Sequence, residues 1–294
     1  MRPGCSTRRR PRACGEPVNE RGFAEAPDRV IVSRDVTQIA LFSLGEATAG
    51  TRPLLLVHGT SGDHRTWRVA GPMLARRRRL AAMDRRGRGD SGDSPDWAIE
   101  HEVEDVAAVA EALAAETGEP VDVLGHSLGG RLALAAALAT PSIRRVVAYE
   151  AMASASGAER GLATALRAHL DTGDLDGLLA TFMTEAVGMP ADELAAFRAN
   201  RIWPLRAAAG PTIVRELEAA LGEQAIGLDA LAGIRIPVLQ LVGSASSPWF
   251  ADGARALDAR LADGRIEVIE GARHGAHHSH AAEFTARVEA FLDA

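Results

Sequence analysis

Short unbroken apolar runs alternate with stretches of helical spacing along most of the chain. Val30-Ile31-Val32 and Gln38 to Phe42 read as two short strands, a hairpin at a sheet edge. Leu54 to Val57 is wholly apolar and stops at His58-Gly59, which suits a strand covered on both faces. Leu80 to Met83 is a second such run, stopped by Asp84 and a glycine-rich turn. Val103, Val106, Ala107, Ala110, Leu113 and Ala114 then recur at helical spacing within Glu100 to Thr117, and Gly118 ends that helix. Val121 to Leu124 is a strand, Leu128 to Ala139 a helix ending near Pro141, and Val146 to Tyr149 the next strand. Strand and helix alternate, so the expected sheet is mostly parallel.

The alternation stops at Met152. Up to about Leu231 only helical and turn signals occur, over Ala163–Leu170, Leu175–Glu185, Asp192–Arg201 and Thr212–Leu221. It resumes with a strand at Val238 to Val242, a helix near Ala251 to Leu261, a strand at Arg265 to Ile269 and a last helix from about Ala281. The expected organisation is an α/β core over 25–151 and 232–294, with an all-helical cap over 152–231 inserted after the sixth strand. Residues 1–24 carry Arg8, Arg9, Arg10 and Arg12 among Pro, Gly and Ser, and read as a solvated tail. No apolar h-region follows those arginines, so an export signal is not expected.

Composition narrows the chemistry. A hydrophobic share of 47% over 294 residues is enough for a core and excludes a wholly disordered chain. No apolar stretch reaches the ~20 residues of a membrane-spanning helix, so no membrane partner is expected. The net charge of −6 argues against a general nucleic-acid binder. The two cysteines, Cys5 and Cys14, both lie in the tail and cannot staple a core. Every Lys/Arg cation is Arg, which excludes Schiff-base lysines and a phosphate-loop lysine.

The sharpest signal is Gly125-His126-Ser127-Leu128-Gly129, followed by Gly130, between a strand and a helix. So tight a reversal strains the serine backbone, and small flanking residues let neighbouring backbone pass. It lifts the Ser127 oxygen clear at the carboxyl end of the strand and aims the Leu128 N–H at the place where an oxyanion would form. The other reading is a glycine-rich turn with a capping serine. With its strand and helix in place, the motif resembles that of the α/β-hydrolase fold family, over the chain from about Arg29 to the end. The resemblance implies an eight-stranded, mostly parallel sheet flanked by helices. His58-Gly59-Thr60-Ser61-Gly62 resembles the family's H-G-x loop, which implies the Thr60 N–H as second oxyanion donor. Asp84-Arg85-Arg86-Gly87-Arg88-Gly89-Asp90-Ser91 resembles its D-x-R-G-x-G-x-S loop and reads as structural, since its charges can pair and its glycines make a compact turn.

A serine near its free pKa needs a base. His274, after the last strand and before the last helix, holds the family's position for it. His277, His278 and His280 crowd close by, of which His278 and His280 read as capping or solvent-facing. These four lack the Cys or spaced carboxylate that would complete a metal site, so no metal is expected. The third member departs from the common pattern. Many relatives carry an Asp shortly after the seventh strand, where this chain reads Gly243-Ser244-Ala245-Ser246-Ser247-Pro248, with Ser246 in the expected place. Glu150, at the end of the sixth strand, matches an alternative position for the acid, and keeps the order serine, acid, histidine. Its other reading is a charge where a strand meets solvent, and Asp252 is a weaker candidate inside a helix.

The resemblance implies a serine hydrolase for a small to medium apolar ester, lactone or thioester, with Ser127, His274 and Glu150 catalytic and no cofactor. Phe182, Met183, Phe197, Ile202, Trp203, Trp249 and Phe250 supply candidate pocket walls, each equally readable as core, and His58 could line the same pocket. His126 reads as packed beneath the elbow. The partner is a small-molecule substrate, the expected location cytoplasmic, and a homodimer is compatible with the sequence. Two other classes stay open: a lyase, C–C bond hydrolase or cyclase on the same site, and a catalytically silent ligand-binding relative.

Overall fold

The structure, a computed structural model, describes residues 22–46, 50–151, 159–220 and 227–294. Most of the expected tail, both cysteines and the start of the expected cap lie outside the described residues. Eight strands form one sheet in the order β1-β2-β4-β3-β5-β6-β7-β8. They are β1 (Arg29–Val32), β2 (Gln38–Leu44), β3 (Leu54–Val57), β4 (Leu80–Met83), β5 (Val121–His126), β6 (Ile143–Tyr149), β7 (Val238–Gly243) and β8 (Gly264–Ile269). β2 pairs antiparallel with β1 and β4, and every other pairing is parallel.

The unbroken apolar runs have a simple cause. Successive strand side chains point to opposite faces, and here both faces are covered. Leu55 and Val57 of β3, Ala81 and Met83 of β4, and Val146 and Ala148 of β6 enter one apolar cluster. Leu54 and Leu56, Leu80 and Ala82, and Val147 and Tyr149 enter a second cluster on the other face. Helices α1 (Ala70–Leu74), α2 (Ile99–Thr117) and α3 (Leu128–Ala139) follow in chain order. The first face is closed by α2 and α3 through Val106, Ala110, Leu113, Leu132 and Ala136. The second is closed by α1 and the C-terminal helix, through Ala70, Leu74, Phe284, Val288 and Phe291. Each buried Leu or Phe contributes about 1.5–3 kcal/mol. Phe23, expected in the tail, instead packs against the second cluster and lies edge-on to the His64 ring at 6.4 Å. An aromatic beside an apolar face buries more area than one left in solvent, so the folded chain starts earlier than its composition suggests.

Between β6 and β7 the described elements are helical: α4 (Glu159–Asp171), α5 (Leu175–Thr181), α6 (Ala191–Arg198), α7 (Trp203–Ala207), α8 (Gly210–Ala220) and α9 (Leu228–Leu231). The spacing places one helix over Leu175–Glu185, but it ends at Thr181 and continues as a wider turn, Phe182–Ala186. This insert has its own core of Leu166, Leu178, Leu179, Phe182, Met183, Trp203, Ile213 and Val214. Then come α10 (Pro248–Asp258), after β7, and α11 (Ala276–Ser279) and α12 (Ala281–Asp293), after β8. Among the described residues no helix is long and apolar enough to cross a membrane.

Candidate active site

β5 ends at His126, and α3 begins two residues later, with Ser127 between them at φ 53° and ψ −128°. A non-glycine residue with positive φ is uncommon, and backbone strain of this kind costs on the order of 1–3 kcal/mol. Close packing holds it there. A Cβ on Gly125 would stand 2.4 Å from the Cα of Gly130, and one on Gly129 would stand 2.4 Å from the carbonyl oxygens of Val57 and His58. Only glycine lets α3 sit so close to the ends of β3 and β5. The strain recurs at two neighbouring loop positions, Ser61 at φ 61° and Glu150 at φ 47°.

Glu150 does not face solvent. It directly follows β6, is 2% exposed, and both carboxylate oxygens are occupied. Oε1 accepts the Gly243 N–H at 2.8 Å, and Oε2 lies 2.6 Å from His274 Nδ1. A carboxylate only accepts, so Nδ1 carries the hydrogen and Nε2 is the ring nitrogen left to act as a base. Ser246, in the place where many relatives carry the acid, keeps a buried Oγ with no partner among the described residues. Asp252 is spent on an ion pair with Arg255 in an exposed turn of α10.

The loop that carries His274 is tied down by two residues whose part in this the sequence did not reveal. Tyr149 donates its hydroxyl hydrogen to the Arg273 carbonyl and accepts the Ala276 N–H at 3.2 Å. His126, next to Ser127, donates Nε2–H to the His274 carbonyl at 2.9 Å, and the two rings lie 4.5 Å apart. Burial pushes His126 well below its ordinary pKa, and His274 adds to this, so the ring stays neutral. Burial, with the Glu150 charge, pushes the Tyr149 phenol up, so it remains a donor. The available signal was Tyr149 itself: it is the chain's single tyrosine and stands directly before Glu150. Phe250 stacks on His274 at 4.6 Å with an interplanar angle of 17°.

The loop after β3 lies against the elbow, where a Cβ on Gly59 would stand 2.9 Å from that of Ser127. The loop after β4 braces it from below. Asp84 Oδ1 accepts the His64 backbone N–H at 2.7 Å and faces His64 Nδ1 at 2.9 Å, while Oδ2 accepts the Asp90 N–H at 2.9 Å. A Cβ on Gly89, at φ 51°, would stand 1.9 Å from Asp84 Oδ2, so that turn admits only glycine. Asp63, His64 and Asp84 bring potential ligand atoms within 4.8 Å of one another. The carboxylate oxygens of both aspartates already accept N–H bonds from Arg65, His64 and Asp90, which suits a turn-tying network rather than a metal.

Other expected site residues lie elsewhere. His58 is fully buried, with Nδ1 bonded to Gly59 O at 2.8 Å and Nε2 accepting the Arg85 N–H at 3.0 Å, so it ties two loops together and is not a pocket wall. Phe182 and Trp203, expected as walls, sit in the core of the insert, where Trp203 Nε1 donates to Asp176 at 2.6 Å. Trp249 is half-buried beside Phe250, at 6.1 Å between rings. His278 is half-buried. It lies 3.3 Å from Arg68 Nη1, and burial, then Arg68 and Arg206, push it down to about 3. The His280 side chain makes no capping bond to α12.

The insert meets the sheet through buried charge. Glu216 of α8 accepts from Arg85 at 2.5 Å and from Arg88 at 2.6 Å, and Arg85 also reaches Glu102 of α2 at 2.7 Å. Burial raises both carboxyls. It prevails at Glu102, whereas Arg85 and Arg88 outweigh it at Glu216 and hold that carboxyl below its usual range.

A mostly parallel sheet with a strained serine after its central strand, and a carboxylate–imidazole pair from two later strand ends, defines an α/β enzyme built around a nucleophile elbow. Comparison with known proteins is more specific. The model of the alpha/beta hydrolase family matches residues 54–288. The chain belongs to this family and is a hydrolase. It is 28% identical over 254 residues to a pimeloyl-[acyl-carrier protein] methyl ester esterase of Neisseria meningitidis, covering 82% of this chain and 77% of the relative. It is 31% identical over 149 residues to an N-formylmaleamate deformylase of Pseudomonas putida, half of each chain. Among solved structures, an alpha/beta hydrolase from Sphaerobacter thermophilus matches at TM-score 0.76 and 30% identity, over 90% of this chain and 100% of that one. An esterase from a Rhodococcus species matches at TM-score 0.70 and 26% identity, over 90% and 98%.

Proposed function

We propose that the chain is a serine hydrolase that cleaves a small to medium carboxylic ester, lactone or thioester through an acyl-enzyme on Ser127. The observation that carries this reading is the buried Glu150 carboxylate 2.6 Å from His274 Nδ1, on a loop bonded at its His274 carbonyl to the residue beside Ser127. That bond fixes the tautomer with Nε2 as base and stabilises the imidazolium formed in the reaction. Ser127 Oγ attacks the acyl carbon, and its proton passes to His274 Nε2. The Thr60 and Leu128 N–H groups hold the developing oxyanion; Leu128 opens α3, and a first helical residue has no intrahelical acceptor. His274 returns the proton to the departing alcohol or thiol. It then takes a proton from water, whose oxygen attacks the acyl carbon; the Ser127 Oγ leaves, regains a proton from His274 Nε2, and the free acid departs. The ester-cleaving relatives support the same bond type.

A fluorophosphonate probe tests this. It labels the wild-type chain and not Ser127→Ala, and that variant loses turnover of short-chain 4-nitrophenyl esters by at least a thousandfold. Equal labelling, or retained turnover, would remove Ser127 from the chemistry.

A further inference from the structure

Arg206 of α7 is only 9% exposed and forms no ion pair among the described residues. Among the described residues its one hydrogen bond runs from Nη2 to Thr66 Oγ1 at 2.9 Å, no carboxylate lies within ion-pair distance, and the buried Nε has no acceptor. Asp63, the neighbouring carboxylate, is taken by Arg65, whose Nε and Nη2 reach its Oδ2 at 3.1 and 2.7 Å. Burial lowers Arg206 to about 10; Asp63 opposes this, while Arg68, Arg65 and Arg88 add to it. A second donor waits beside it. His278 Nε2 accepts from Arg68 Nη1 at 3.3 Å, so its Nδ1 carries the hydrogen, and that buried atom has no acceptor among the described residues.

A short loop links Arg206 to the proposed reaction centre. A Cβ on Gly62 would lie 2.9 Å from Arg206 Nη1 and 2.9 Å from the Gly59 carbonyl oxygen. Gly59 in turn touches Ser127, so one short loop separates guanidinium from hydroxyl. Leaving a buried guanidinium uncompensated costs several kcal/mol, and the planar donor fork of arginine fits a carboxylate in two-point contact. We infer that Arg206, assisted by His278 Nδ1–H, is a specificity-determining residue that binds a carboxylate carried by the substrate. The substrate class is then a small ester, lactone or thioester with one free carboxylate a few bonds from the scissile carbonyl, instead of the wholly apolar one the sequence suggests. This rests on the serine-hydrolase reading for its catalytic consequence, though not for the binding itself.

The experiment compares 4-nitrophenyl hemiglutarate with 4-nitrophenyl valerate, similar in length and different in charge. Wild type is expected to favour the anionic ester by at least tenfold in kcat/KM. Arg206→Gln should lower that anionic-to-neutral ratio at least tenfold, and Arg206→Lys should restore part of it. A wild-type ratio at or below one, or a ratio unchanged in Arg206→Gln, would make Arg206 a clamp on Thr66 and overturn the inference. Calorimetric binding of glutarate to Ser127→Ala separates the two proposals, since it needs no turnover. Binding lost on adding Arg206→Gln supports the carboxylate site even if the acyl-enzyme reading fails; absence of binding to Ser127→Ala, with that variant folded by circular dichroism, overturns it.

Discussion

The sheet and the helical insert are held together by different forces. The sheet buries two apolar layers, one on each face, and its strand ends carry Ser127, Glu150 and the His274 loop. The insert has an apolar core of its own but joins the sheet through charge: Glu216 to Arg85 and Arg88, Arg206 to Thr66, and Arg215 to Asp93. Apolar burial is insensitive to direction and gives a rigid base. Charge-assisted bonds are directional, and they are strong only while every partner is present. The proposed chemistry is therefore fixed to the rigid part, and the groups that would choose a substrate belong to the polar seam.

Substitutions can separate the two regions. Glu150→Gln keeps the shape and removes the anion opposite His274; kcat is expected to fall by about a thousandfold or more, with the melting temperature nearly unchanged. Unchanged turnover would take Glu150 out of the chemistry and leave Ser246 or water facing the ring. Glu216→Gln acts in the opposite sense. It leaves Arg85 and Arg88 to share Glu102, and should cost about 3–5 kcal/mol in urea unfolding. A loss below 1 kcal/mol would show the seam to be hydrated.

Acid should weaken both regions together. His58, His126, His277 and His278 are all held below their ordinary value of 6.5, with burial the leading cause. The unfolded chain takes up protons near that value while the folded chain refuses them. Stability is thus full above pH 6.5 and falls as pH drops, by up to about 1.4 kcal/mol per pH unit for each histidine. Urea midpoints at pH 7.5, 6.5 and 5.5 measure the slope, and His278→Gln should flatten it; a midpoint independent of pH contradicts the burial of these rings. The smallest effect is expected for Tyr149→Phe. Losing the bonds to Arg273 and Ala276 frees the His274 loop, for about tenfold in kcat and 1–2 kcal/mol in stability. Equal kcat would leave His126 as the sole tether that matters.

Several elements were legible because they rest on local physics. The runs Leu54–Val57 and Leu80–Met83 coincide with β3 and β4, since four apolar residues in a row can only be satisfied between two covered faces. The glycines around Ser127 announced a turn that no Cβ could enter. Short helices such as Ala70–Leu74 and Trp203–Ala207 went unread, because fewer than two turns leave no periodicity to detect. Phe182 and Trp203 stayed readable in two ways for a related reason: composition cannot tell a pocket wall from the core behind it.

By itself, the sequence determined the strand–helix alternation, the helical break in it and the elbow at Ser127, because each depends on neighbours within a few residues, while Glu150 and His274 became candidates through the resemblance to the α/β-hydrolase family. Only the tertiary structure decided that Glu150 is buried with both oxygens engaged, that Tyr149 and His126 pin the loop of His274, and that Arg206 forms no ion pair among the described residues. Those are outcomes of desolvation and of donors meeting acceptors more than a hundred residues apart, and no local pattern encodes which of them will be left over.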